Sequence, residues 1–192
     1  SKEKSKLQRY GQDHPIILES IQKMRENLPI ACLRNELKDA LQNSNIVLVQ
    51  AGTGSGKSTQ IPQFILEEAL STQMGATTRI LVTQPRRIAA KSLAERVAFE
   101  RLESTPKGIK KNSNKKAKDR SVGYSVRFDS AKPRREGGSI EYLTTGILLK
   151  RLLSGNKGLE GISHVLIDEV HERDLDLDLL LVLMREFWIQ GK

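Results

Sequence analysis

Ala51-Gly52-Thr53-Gly54-Ser55-Gly56-Lys57-Ser58-Thr59 sets three alternate glycines ahead of a lysine and two hydroxyl residues. Glycine lets a chain curl so that successive backbone N–H groups face inward, and a following helix adds unpaired N–H groups and its positive dipole end. Phosphate binds in such a cradle. In the pattern G-x-x-x-x-G-K-[ST], Lys57 reaches the β- and γ-phosphates and the Ser58 hydroxyl joins the shell of Mg²⁺. The first position of that pattern is Ala51 here, a small departure. Gly52, Thr53, Gly54, Ser55, Gly56, Lys57, Ser58 and Thr59 are therefore the candidate nucleotide-binding residues. An ordinary glycine-rich turn is the alternative, and the placement between an apolar run and a helical stretch weighs against it.

A nucleotide held by that loop alone would be bound and not hydrolysed, so a carboxylate is needed to orient metal and water. His164-Val165-Leu166-Ile167 runs into Asp168-Glu169-Val170-His171. Carboxylates that follow an apolar strand sit at the C-terminal edge of a sheet, where ligands bind. Asp168 would hold Mg²⁺ through water, and Glu169 would orient or deprotonate the attacking water. Ser58, Asp168 and Glu169 form the candidate metal side, and Glu169, Lys57 and Asp168 the candidate catalytic set. The alternative is an acidic strand-to-helix turn, since Asp and Glu commonly open helices.

The elements around these residues are legible from periodicity. Ile46–Val49, residues 79–83 and residues 164–167 are short apolar runs without alternation, as expected of parallel strands covered on both faces. Helical spacing marks 15–27, 33–41, 57–72, 86–103, 145–154 and 174–190, and 122–128 and 139–143 read as further strands. The strand and helix runs alternate, so the expected fold is α/β, a mostly parallel sheet with helices on both faces. Residues 1–14 read as a polar tail and 15–192 as one domain.

The chain has 192 residues and a formal net charge of +9. Residues 104–121 carry seven basic side chains against one acid, Asp119, and residues 1–9 supply the whole of the remaining excess. The rest of the chain is formally neutral, so the net charge says little about the folded surface. Segment 104–121 lacks hydrophobic periodicity and contains Pro106, Gly108 and Asn112-Ser113-Asn114, which predicts a mobile basic insert. Salt-sensitive affinity for nucleic acid, a localisation signal and solubility are all compatible with it. A single cysteine, Cys32, excludes an internal disulfide framework and a multi-thiolate zinc site, and fits a reducing compartment. No apolar run has membrane-spanning length and no signal-peptide core follows the charged start. The expected location is intracellular, with nucleus and cytoplasm undecided.

Read together, these motifs resemble the DEAH/DExH-box helicases of superfamily 2. Asp168-Glu169-Val170-His171 looks like the family's box, Thr83-Gln84-Pro85-Arg86-Arg87 its motif Ia, and Thr144-Thr145-Gly146 its motif Ib. Gly123-Tyr124-Ser125-Val126-Arg127-Phe128 is similar to the stretch between them. The resemblance covers about residues 30–190 in the right order, and it implies a RecA-like P-loop domain. It further implies that Arg86, Arg87, Arg127, Thr145 and Gly146 grip RNA mainly through its phosphate-sugar backbone. Guanidinium forks, hydroxyl donors and the exposed amide of a glycine suit that task. Arg86 and Arg87 could instead be a solvated helix start, although cations are unfavourable at a helix N-terminus. Arg96 matches the family position that stacks on adenine, with a surface helix arginine as the alternative. His171 would couple nucleotide state to a second RecA-like domain.

The expected activity is that of a first motor domain of an ATP-dependent RNA helicase, using ATP and Mg²⁺ to bind and translocate on single-stranded RNA and to unwind duplexes. The low aromatic content, 4%, favours backbone contact over base stacking. The chain does not open on Met and shows no second sheet or arginine-finger motif after Asp168, so it is expected to stop before the domain's last strand. Such a fragment is expected to be weakly active or inactive. A P-loop NTPase switch leaves Thr83–Arg87 and Thr144–Gly146 unexplained, and a nucleic-acid-binding scaffold leaves Lys57, Ser58, Asp168 and Glu169 unexplained.

Overall fold

The computed structural model describes residues 15–106, 120–134, 136–154 and 158–189. Its helices are α1 (Pro15–Glu26), α2 (Arg34–Asn43), α3 (Lys57–Ser71), α4 (Arg87–Glu100), α5 (Thr145–Leu153) and α6 (Leu175–Ile189), with strands β1 (Arg79–Gln84), β2 (Val122–Val126), β3 (Asp129–Ala131), β4 (Ser139–Thr144) and β5 (His164–Ile167). The sheet order is β3-β2-β4-β1-β5. All neighbours pair in parallel except β3, which returns antiparallel on β2. The polar residues 1–14 and residues 107–119 of the basic segment lie outside the described residues.

Within each parallel strand, successive side chains enter two separate cores, the period-2 alternation of a pleated strand. Ile80, Val82, Ile140 and Tyr142 pack with Ile61, Phe64, Ala94 and Val97 of α3 and α4. Leu81 and Leu143 pack on the opposite face with Leu148 of α5 and Leu180 of α6. Both faces are covered, which is why β1 reads as a continuous apolar run at its centre. The observed architecture is the doubly covered α/β sheet that the periodicity predicts.

Two expectations are corrected. Ile46–Val49 is not a ladder strand: it pairs with no strand among the described residues. Val47, Val49 and Ala51 pack on the core, while Ile46 and Leu48 are 71% and 87% exposed. An apolar run becomes a buried strand only with neighbours on its edges and cover on both faces, and here one face alone is covered. The mobile character expected for 104–121 also fails at its end, because Arg120 and Ser121 are buried.

Glu103 explains that burial. Its carboxylate accepts from the Ser121 N–H at 2.7 Å, from the Val122 N–H at 3.2 Å and from the Ser121 hydroxyl. Arg101 Nε pairs with the same carboxylate at 3.2 Å and donates to Ser121 Oγ at 3.1 Å. Glu103 and Ser121 are thus joined across 18 positions of the chain. At the other end of β2, Arg127 and Phe128 form the turn into β3, with Phe128 in the left-handed region at φ 67°.

Candidate nucleotide and nucleic-acid site

The glycine-rich loop opens into α3 at Gly56, whose φ of 95° is accessible to glycine without strain. A Cβ there would also meet Leu28 Cδ1 at 3.0 Å and Ile30 Cγ2 at 3.1 Å. Ile30 N donates to the Ser55 carbonyl at 3.1 Å, so the segment after α1 buttresses the loop from outside. Gly52 and Gly54 instead face open space. The Lys57 ammonium lies over the loop, donating to the carbonyls of Ala51 at 2.5 Å and Gly52 at 2.9 Å. Among the described residues, Ser55 Oγ is buried with no hydrogen-bond partner, a polar atom able to meet a ligand.

The acidic residues sit at the end of β5. Asp168 Oδ2 accepts from the Gln84 amide at 2.6 Å, and its Oδ1 accepts from the Glu169 N–H at 3.0 Å. These bonds fix the carboxylate at the junction of β1 and β5. Glu169 has φ 54° and Arg173 φ 46°, left-handed conformations that cost non-glycine residues about 1–3 kcal/mol each and concentrate at functional sites. His171 is 79% exposed and its Nδ1 lies 3.4 Å from a Glu169 oxygen.

The register brings the remaining candidates to one edge. In the parallel ladder Gln84 aligns with Thr144, and Thr83 with Ile167. Arg86 and Arg87 after β1, Thr145 and Gly146 after β4, Arg127 after β2, and Asp168 after β5 therefore all follow C-terminal strand ends. Arg86 is the N-cap of α4 and Arg87 its first residue, two cations at the unfavourable end of a helix dipole. Arg86 pairs with Glu172 at 3.4 Å across the edge. The Arg127 guanidinium lies 4.8 Å from the Phe128 ring centroid. Thr145 is buried at the start of α5, and a Cβ on Gly146 would lie 3.4 Å from Asp176 Oδ2.

Arg96 is not in the loop of phosphate ligands but belongs to a network beside it. Its Nε pairs with Glu100 Oε1 at 2.7 Å, with the arginine side chain 48% exposed. Glu100 is buried, and its Oε2 accepts from the amides of Gln60 and Gln63 at 2.8 Å each. Gln60 Oε1 in turn accepts from Arg25 Nε at 2.8 Å. Three helices, α1, α3 and α4, thereby share one polar junction directly behind the loop. Among the described residues no cluster of three or more His, Cys, Asp or Glu could cage a metal. Mg²⁺ keeps several waters and needs only one or two protein oxygens besides phosphate. Ser58 and Asp168 fit that demand.

Comparison with known proteins decides the affiliation. The DEAD/DEAH box helicase family profile matches residues 34–176. This chain belongs to the DEAD/DEAH box helicase family. The α/β sheet is the RecA-like domain of such helicases. Among curated relatives, the rat ATP-dependent DNA/RNA helicase DHX36 is 40% identical over 166 residues, 86% of this chain and 15% of that protein. The chicken ATP-dependent RNA helicase DHX30 is 42% identical over 158 residues, 82% of this chain and 12% of that protein. A DEAH-box ATP-dependent helicase of Mycosarcoma maydis is 42% identical over 165 residues, 84% of this chain. The chain thus spans 10–15% of the length of these helicases.

Within this helicase domain, several site residues carry weak sequence signals. Gln84 stands inside Thr83–Arg87, but its bond to Asp168 depends on β1 and β5 being neighbours. Glu100 and Tyr142 look like an ordinary helix acid and a core aromatic until packing is known. Lys91, Asp129 and Tyr124 form a further cluster, with Lys91 Nζ 2.7 Å from Asp129 Oδ2 and the Tyr124 hydroxyl 3.0 Å from it. The lysine's hydrogen bond holds the Asp129 carboxyl below its ordinary range.

Proposed function

We propose that this chain is the first motor domain of an ATP-dependent RNA helicase, coupling Mg²⁺-ATP hydrolysis to movement on single-stranded RNA and duplex unwinding. One observation supports the reading: Asp168, Arg86, Arg87, Arg127, Thr145 and Gly146 follow C-terminal strand ends of one parallel sheet, and Tyr142 of β4 bonds the Ser58 carbonyl next to the glycine-rich loop. The Lys57 ammonium and the loop N–H groups hold the phosphates. Ser58 and Asp168 would hold Mg²⁺, which would supply charge neutralisation at the transferring phosphoryl group. Gln84 keeps the Asp168 carboxylate in place, and Glu169 takes a proton from, or aligns, the attacking water. Arg86, Arg87, Arg127, Thr145 and Gly146 bind the RNA backbone, which favours weak sequence specificity. His171, exposed beside Glu169, relays nucleotide state to a second RecA-like domain. A nuclear or cytoplasmic setting accords with this reading. Relatives named as DNA/RNA and RNA helicases support a nucleic-acid substrate, with RNA the common term.

The test is ATP turnover by the full-length protein with and without single-stranded RNA, beside a Glu169→Gln variant. The expected result is RNA stimulation in the parent and turnover lower by about 10²–10⁴-fold in the variant, the worth of a positioned base. Turnover indifferent to both RNA and the substitution overturns the proposal.

A further inference from the structure

Pro62 lies inside α3, one turn beyond the phosphate loop. In an α-helix the N–H of each residue bonds the carbonyl four residues earlier. Proline has no N–H, and its ring crowds that carbonyl. The acceptor deprived here is the carbonyl of Ser58, the residue whose hydroxyl is the candidate Mg²⁺ ligand. A buried carbonyl without a donor is costly.

Tyr142 supplies the donor. It rises from β4 beneath α3, fully buried, and its hydroxyl donates to the Ser58 carbonyl at 2.7 Å. We propose that Tyr142 is a positioning residue whose hydroxyl stands in for the missing Pro62 N–H and fixes the turn that carries Lys57 and Ser58. Burial, with the charges of Glu100 and Asp168 nearby, holds the phenol well above its ordinary pKa, so the hydroxyl keeps the proton it donates. Tyr142 thereby ties β4 to the first turn of α3. Tyrosine at 142 and proline at 62 act as one unit, each making sense of the other. The inference rests on the nucleotide-binding reading above and adds a residue to it.

A double-substitution cycle in the full-length protein tests it. Tyr142→Phe deletes only the hydroxyl, whereas Pro62→Ala returns an N–H to the helix. Binding of Mg²⁺-ADP and of ADP in chelator is measured by calorimetry, and amide hydrogen exchange is followed across residues 58–63. Tyr142→Phe is expected to weaken Mg²⁺-ADP binding about tenfold, the worth of one buried hydrogen bond. The loss is expected to be larger with Mg²⁺ than without it, because the Ser58 hydroxyl moves with its carbonyl. It should also speed exchange in this turn. In the Pro62→Ala background the same Tyr142→Phe change is expected to have little effect on either readout. Wild-type binding and exchange in Tyr142→Phe, or an equal loss in both backgrounds, overturns the positioning role. A Lys57→Ala variant that binds Mg²⁺-ADP as the parent does overturns the nucleotide reading itself, and the exchange data then still decide whether Tyr142 holds the turn.

Discussion

The side-chain amide of Gln84 donates to Asp168 Oδ2 at 2.6 Å, joining the last residue of β1 to the first residue beyond β5. Neither residue could find the other without the parallel pairing of these strands. Partners of a metal-side carboxylate typically contribute 10–100-fold to activity or metal affinity. Gln84→Ala is therefore expected to lower ATP turnover by about that factor and to raise the Mg²⁺ concentration needed for half-maximal rate. Magnesium titrations at saturating ATP check this, and an unchanged midpoint would show Asp168 to be held without Gln84.

Glu100 gathers three donors, from Gln60, Gln63 and Arg96. Two of them are buried amides that no water can reach, while the half-exposed Arg96 loses little when its partner goes. Glu100→Ala is expected to destabilise the domain by about 2–3 kcal/mol, chiefly because each glutamine amide keeps only its bond to Thr59 and loses a buried acceptor. Glu100→Gln should cost less, since it keeps an acceptor oxygen. Denaturant midpoints of the two variants, read at equal slope, test the order.

Arg86 and Arg127 lie at the ends of different strands but on the same edge of the sheet. If each meets one phosphate, Arg86→Ala and Arg127→Ala should each flatten the dependence of log affinity on log salt by about 0.7 for single-stranded RNA. Their effects should be similar across RNA sequences. Titrations of labelled homopolymers at several salt concentrations measure both, and a loss confined to one base composition would assign base contact instead.

Burial pushes the His164 imidazole below its ordinary pKa of 6.5. The folded state therefore resists protonation more than the unfolded chain does. Stability is full above the unfolded value and falls as pH drops below about 6.5 toward the lower folded value. His164→Gln should flatten this slope. Thermal midpoints taken from about pH 8 to pH 5 would reveal it, and parallel curves for the two proteins would place the pH dependence elsewhere.

The phosphate loop and the acidic motif were legible because their residue types and spacing are the chemistry. Strands β1 and β5 were legible because strands of a parallel sheet leave continuous apolar runs. Ile46–Val49 has the same character and yet stands half in solvent, since a run of residues says nothing about whether neighbours exist to cover it. β3 carries no signal at all, being three residues, two of them polar, set by the turn at Phe128. Arg96 was expected at the nucleotide base; it is bonded to Glu100, which leaves the position beside the loop intact but gives the side chain a second task. Gln84, Glu100 and Tyr142 could not be read because each acts through a partner about 40 or more residues away.

The Glu103 carboxylate that grips the N–H groups of Ser121 and Val122 makes the body of the domain indifferent to what lies between. The entropy of bringing two points of a chain together grows only as the logarithm of their separation, and a doubling costs about 0.6 kcal/mol. Changes of length between Glu103 and Ser121 are therefore expected to cost folding little. This stretch is also where a fluorophore or an affinity tag could be grafted with the least disturbance to the sheet.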